Sequence, residues 1–285
     1  MKKGLKPDRV LYLRIYLYQD CDESNVHLEE LQKFIEKKFG FSEIFLRGKF
    51  IDFHNKDVKI EDLAKELAAI RVKDIYQPHV EYTPFYGEID FERRFLIGKI
   101  VKIKGILYDG LKLLLLYWDL LPINERTSNK IHIAITNRLF GTFFEEDGRY
   151  HIRSILCSRL SLISTAGIIE GPAKPRLFYK LKHQSSAMGT NLPIEVFKQQ
   201  FKGQFIDYDD PNLTEILKGY VSQALFFNLT GEPFCSDKTC RLFNAHWQAE
   251  LIDAQLGHRK FCEPHQKFLE NFVIKANHSK IDKKY

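Results

Sequence analysis

VLYLRIYLY (Val10 to Tyr18) is followed, after a gap of five residues, by SNVHLEELQKFIEKKFG (Ser24 to Gly40). The first stretch is rich in β-branched and aromatic residues and reads as a strand. In the second, Ser24 or Asn25 is placed to cap a helix, and Leu28, Leu31, Phe34 and Ile35 share one face up to about Phe39. Gly40 follows as a stop signal. A strand feeding a helix points to an α/β layout. The next segments repeat the alternation: Ser42 to Phe53 is extended, and Ile60 to about Ile70 is a second amphipathic helix.

The middle of the chain is less regular. Pro78 to Gly87 reads as a loop, and Phe95 to Leu107 as a strand. Leu111 to Leu120 fits a strand or a buried helix, because periodicity alone does not separate them. NKIHIAITNRLFGTF (Asn129 to Phe143) reads as a strand ending in a turn around Gly141, and IRSILCSRLSLIS (Ile152 to Ser164) as a further strand. Gly167 to Pro175 holds two glycines and two prolines and reads as a loop. Asp209-Asp210-Pro211 then starts a helix that runs to about Leu229, with Gly231 placed to close it.

The 285 residues are 44% hydrophobic, enough for a sizeable core. We expect one domain with four parts: an α/β portion (1–125), a sheet edge and long helix (126–231), a metal-binding segment (232–270) and a basic tail (271–285). No apolar run approaches ~18 residues, which argues against a transmembrane helix. The start does not read as a signal peptide, so the expected location is the cytoplasm. The 43 basic and 37 acidic residues give a net charge of +6, without the one-sided basic face that nucleic-acid binding requires.

Three of the five cysteines cluster with a histidine near the C-terminus: Cys235-x4-Cys240 and, after a gap, Cys262-x-x-His265. Three thiolates and one imidazole are a common tetrahedral donor set for structural zinc, so one zinc ion is expected here. His246 and His258 lie between the halves and either could replace His265, though the Cys-x-x-His spacing favours His265. Cys21 and Cys157 stand apart and read as small core residues.

This segment resembles the archaemetzincins, archaeal zinc metallopeptidases of the metzincin clan. In that family a helix bearing His-Glu-x-x-His-x-x-Gly is followed by Cys-x4-Cys and, about twenty residues on, by Cys-x-x-Cys. The shared elements are Gly231, Cys235, Cys240, Cys262 and His265, with a middle spacing two residues longer and His265 where the family has its last cysteine. Upstream, Ile133-Ala-Ile135-Thr136, Phe140-Gly141 and Ile155 to Leu160 follow the family's order of a core strand, a Phe-Gly step and an edge strand. The resemblance spans about Lys130 to Phe268. It implies a metzincin-like mixed twisted sheet with packed helices, closed by a zinc-knuckle segment.

The resemblance also implies a loss. The catalytic positions fall on Ala224, Leu225, Asn228 and Phe234, none of them a zinc ligand or carboxylate base. The expectation is therefore a pseudoenzyme, a zinc-binding scaffold that holds a peptide or protein partner along the former cleft. The alternative is a zinc hydrolase with a rebuilt site drawn from Glu232, His246, Glu250 and Asp253, in which His246 and Glu250 would chelate from one helical face.

Overall fold

A computed structural model describes residues 13–21, 24–54, 58–100, 105–190 and 193–281. In chain order the elements begin with β1 (Arg14–Asp20), α1 (Leu28–Phe39), β2 (Ile44–Arg47), α2 (Phe50–His54), α3 (Ile60–Ala69) and α4 (Tyr86–Leu96). Next come β3 (Leu107–Asp109), α5 (Gly110–Leu120), β4 (Lys130–Thr136), β5 (Leu139–Phe144), β6 (Arg149–Arg153), β7 (Ile155–Leu156) and β8 (Leu160–Ser164). The remainder is helical: α6 (Thr165–Glu170), α7 (Arg176–Ala187), α8 (Ile194–Gln200), α9 (Leu213–Thr230), α10 (Gln248–Ile252) and α11 (Glu263–Ile281).

The fold is mixed α/β. Its main sheet has the order β2-β1-β4-β8-β7. The first four strands are parallel, and the short β7 runs antiparallel at the edge. A second sheet, β3-β5-β6, pairs β3 parallel and β6 antiparallel to β5.

A parallel sheet must be covered on both faces. Alternation along β1 serves both: Ile15 and Leu17 enter one core, Tyr16 and Tyr18 the other. The first core is completed by Leu31 and Ile35 of α1 and by Leu217, Val221 and Leu225 of α9. The second takes Phe50 of α2, Leu63 and Leu67 of α3 and Leu113 and Tyr117 of α5. Phe178, Phe197, Phe201 and Phe205 form a separate small cluster around α7 and α8.

Several expectations are met and several corrected. Gly40 closes α1 at φ 71° and its N–H donates to the Glu36 carbonyl at 3.1 Å. Neither Ser24 nor Asn25 caps that helix: the Asn25 amide reaches the Asp210 carbonyl, and the His27 N–H finds Thr214 Oγ1 at 3.0 Å. Ser42 to Phe53 is not extended throughout, since α2 begins at Phe50. Leu111 to Leu120 is helical, started by the Asp109 carboxylate accepting from the Lys112 N–H at 3.0 Å. Phe95 and Leu96 belong to the end of α4 rather than a strand, and 101–104 lie outside the described residues.

Gly141 is no turn. It sits inside β5, where a Cβ would stand 2.8 Å from the His151 carbonyl oxygen, so only glycine lets β5 and β6 approach. Ile152 to Ser164 is not one strand but the end of β6 and the β7–β8 hairpin. Gly167 falls within α6, beneath the Arg153 carbonyl, where a side chain has no room. Asp210 accepts from the Asn212 N–H at 2.8 Å one turn before α9, which starts two residues later than Pro211 suggested. Val10 to Tyr12 and the last four residues of the basic tail lie outside the described residues. Among the described residues no helix is long and apolar enough to cross a membrane.

Candidate metal centre and adjoining cleft

Helix α9 ends where Gly231 adopts φ 86° and donates its N–H to the Phe227 carbonyl at 2.8 Å. The chain then folds into a tight loop. Cys235 N–H donates to the Leu242 carbonyl at 2.9 Å and Phe243 N–H to the Cys240 carbonyl at 2.9 Å. Asp237 fixes the tip by accepting from the Thr239 N–H and hydroxyl, each at 2.9 Å. Arg241 N–H donates to the Lys260 carbonyl at 2.8 Å, which brings Cys262 alongside. Cys262 stands at the head of α11, so His265, three residues on, returns to the same side one turn later.

The result is a convergent donor set. The donor atoms of Cys235, Cys240, Cys262 and His265 all lie within 4.8 Å of one another. The Cys235 and Cys262 sulfurs are 3.7 Å apart, and His265 Nδ1 lies 3.8 Å from Cys240 Sγ and 2.9 Å from Cys262 Sγ. A disulfide needs ~2.05 Å, so the sulfur pair is not bonded. Two sulfurs at ~2.3 Å from a tetrahedral ion stand ~3.8 Å apart, close to the observed separation. The Cys262–His265 approach is shorter than that geometry.

Burial acts on three of the four donors. Cys240 is buried, and burial pushes its thiol up to about 12, although N–H groups of Cys262 and Leu242 directed at the sulfur oppose this. Burial also raises the Cys235 thiol and lowers the His265 imidazole. His265 is thus held neutral, with a lone pair to donate. A cation that takes the thiolates replaces their protons and repays the desolvation of the sulfurs. The N–H to Sγ contacts would then stabilise the bound thiolates.

The competing histidines are elsewhere. His258 pairs with Asp253 at 3.5 Å. His246 lies before α10, not on it, so the expected helical pair with Glu250 does not form. Glu250 instead caps α10, accepting from the N–H groups of His246 at 3.2 Å and Trp247 at 3.3 Å, and it pairs with Lys238 at 3.1 Å. Glu232 is exposed. These four side chains do not come together.

Beside the metal centre, a cleft of about 260 Å³ opens between the β7 edge and α9. Ile155 and Leu156 form one side, Tyr220, Gln223 and Phe227 the floor, and Phe234 with His246 the far wall. Gln223 is almost wholly buried, its amide N–H donates to the Phe243 carbonyl at 3.2 Å, and its Oε1 has no partner. Sequence reasoning missed Gln223 and Phe227. They lie one position before Ala224 and Asn228, and only the rotation of α9 shows that they face the cleft. Cys157, expected in a core, also lines it, and burial pushes its thiol up to about 12.

Ala224 and Leu225 are fully buried in the first core. The Asn228 amide donates to the carbonyls of Ser158 and Ala224, each at 2.9 Å. Phe234 is partly exposed at the cleft rim.

No curated protein and no solved structure matches the chain significantly. A family profile does match, over residues 11–272, from the first strand to beyond the metal centre. A Cys₃His donor group beside a cleft, within a match of that length, leads to one conclusion: the chain belongs to the "Probable metallopeptidase family (DUF6775)".

Proposed function

We propose that the chain is an archaemetzincin-like zinc protein that has lost the hydrolytic centre and holds an extended peptide segment in the cleft under β7. The carrying observation is the fate of α9. Ala224 and Leu225 are packed into the core, and the Asn228 amide is committed to two carbonyls, so this helix presents no metal ligand and no carboxylate base to the cleft. Four parallel strands with an antiparallel edge strand, followed by a long helix and a Cys/His loop, support the archaemetzincin-like reading. The Cys₃His set fits zinc, and a closed four-ligand site of this kind is structural. It ties the loop after α9 to the head of α11.

The cleft suits a peptide. A short edge strand offers main-chain pairing, and the apolar side chains of Leu156, Phe227 and Phe234 around the cleft offer a pocket for one side chain. The test combines three measurements on the purified protein. Zinc content should be one per chain. Fluorescent peptides carrying an apolar residue should bind, and Phe227→Glu should abolish that binding. The same peptides should remain intact on long incubation. Binding that survives Phe227→Glu would place the peptide elsewhere.

A second reading, a hydrolase with a rebuilt site, draws on His246 at the cleft wall. It requires two metals per chain and peptide cleavage that stops in His246→Ala.

A further inference from the structure

Helix α5 is apolar on the side that faces the core and also on the side that faces away from it. Leu113, Tyr117 and Leu120 are buried and fix the inward side. At ~100° per residue the outward side is centred on Leu115, with Leu111 and Trp118 along one flank and Lys112 and Asp119 along the other. Leu111 is 58% exposed and Leu115 60%. A lone exposed leucine is ordinary, but two leucines one turn apart beside a partly exposed tryptophan form a continuous apolar strip, the mark of a contact surface.

The charges of the strip are also unmatched within the chain. Neither the Lys112 ammonium nor the Asp119 carboxylate has an ion-pair partner among the described residues. They lie seven positions apart, about 10 Å along the axis, too far to pair with each other. The nearby Arg126 guanidinium donates to the main-chain carbonyls of Leu121 at 2.7 Å and Asp119 at 2.9 Å. On α3, burial and the carboxylates of Asp62 and Asp119 raise the Glu66 carboxyl above its usual range, so Asp119 sits among like charges.

The strip complements an inverted copy of itself. An antiparallel second α5, related by a two-fold axis beside Leu115, sets Leu115 against the partner's Leu115 and Leu111 against the partner's Trp118. On the other flank the same rotation sets Lys112 against the partner's Asp119, and symmetry repeats the pair. Both flanks match to within one residue's rise, about 1.5 Å. A parallel pair would instead oppose lysine to lysine and aspartate to aspartate. We propose that this face of α5 is the contact between two copies of the chain, paired antiparallel about Leu115. One helix side buries a few hundred Å² per copy, below the ~800 Å² of a standard interface, so the dimer is weak and concentration-dependent. None of these residues lines the cleft, and α5 covers the other sheet face from α9, so the pairing stands apart from the proposed peptide binding.

The experiment is sedimentation velocity on the full chain from micromolar to near-millimolar concentration. A reversible monomer–dimer equilibrium is expected. Leu115→Asp changes an exposed position, puts like charges on the axis and should leave only monomer. Lys112→Asp and Asp119→Lys, each alone, put like charges across both symmetric contacts and should weaken association about tenfold. The double variant should return to within about threefold of the wild type. The two side chains do not reach each other within one chain, so such a rescue reports a contact between copies. A monomer at every concentration, a dimer that Leu115→Asp leaves intact, or a double variant no better than the single ones would each overturn the proposal. A monomer that instead co-sediments with phosphatidylcholine vesicles would overturn it in favour of a lipid surface.

Discussion

Asn228 donates its amide to the Ser158 carbonyl at 2.9 Å, which ties α9 to the turn between β7 and β8. The bond fixes the separation of the cleft floor from its edge strand. Asn228→Ala removes this bond and the one to the Ala224 carbonyl, and should therefore cost about 1–3 kcal/mol of stability. Chemical denaturation measures it. Hydrogen exchange at Leu156 and Cys157 should accelerate in the same variant, and unchanged exchange there would show that the tie does not hold the edge.

Restoring a ligand to α9 should fail for reasons of space. Ala224 is fully buried in the first core, and histidine there adds a ring among packed apolar side chains. Ala224→His should destabilise the protein by about 1–3 kcal/mol. Metal analysis of Ala224→His with Asn228→His and Phe234→His should find no gain in zinc over the wild type. A stoichiometric second ion would show that the helix can rotate its face into the cleft.

The metal centre makes a sharper stability prediction. Cys240→Ser or Cys262→Ser removes a ligand from a site whose formation is coupled to folding, and should melt the segment from 232 to 270. Cys21→Ala removes only an ordinary buried side chain and should cost about 1–3 kcal/mol. X-ray absorption on the wild type should give sulfur-dominated coordination at ~2.3 Å. Equal damage from the two kinds of substitution would refute the ligand assignment.

Asp20 supplies a pH prediction. Burial pushes its carboxyl up to about 6, with the Tyr117 hydroxyl and Arg138 opposing the rise. In the unfolded chain it titrates near ~3.9. A folded pKa above the unfolded one contributes stability below the unfolded value and loses it as pH rises through about 6. The loss should be on the order of 2–3 kcal/mol between pH 4 and 7. Glu92 runs the other way: burial pushes it up, but Arg138 and Arg71 outweigh this and hold it below the usual carboxylate range, so its contribution is lost toward acid. The comparison is therefore with Asp20→Asn. The difference in stability between wild type and variant should fall across that window, and a constant difference would rule the assignment out.

Legibility in the sequence tracked locality. The Cys-x4-Cys and Cys-x-x-His pairs are short-range signals, and the chain brought them to one point. Gly40 and Gly231 end helices because a left-handed residue is a local requirement. Gly141 and Gly167 misled, because each is small to admit a carbonyl from a residue well along the chain, His151 and Arg153 respectively. Leu111 to Leu120 was ambiguous because its apolar residues are nearly continuous, and only the Asp109 cap and contacts with β5 and β8 decide for a helix. Gln223 was invisible as a residue of the cleft. Its place there depends on the rotation of α9, which is not written in a run of neighbouring residues.

Both strips of the cleft wall spring directly from sulfur ligands. Pro233 and Phe234 immediately precede Cys235, and Phe243 to His246 begin three residues after Cys240. On the proposed reading, a chelator that strips a bound ion should therefore loosen the wall and weaken peptide binding. On that reading, loss of binding on chelation reports a wall that has lost its anchor, not a metal withdrawn from a reaction.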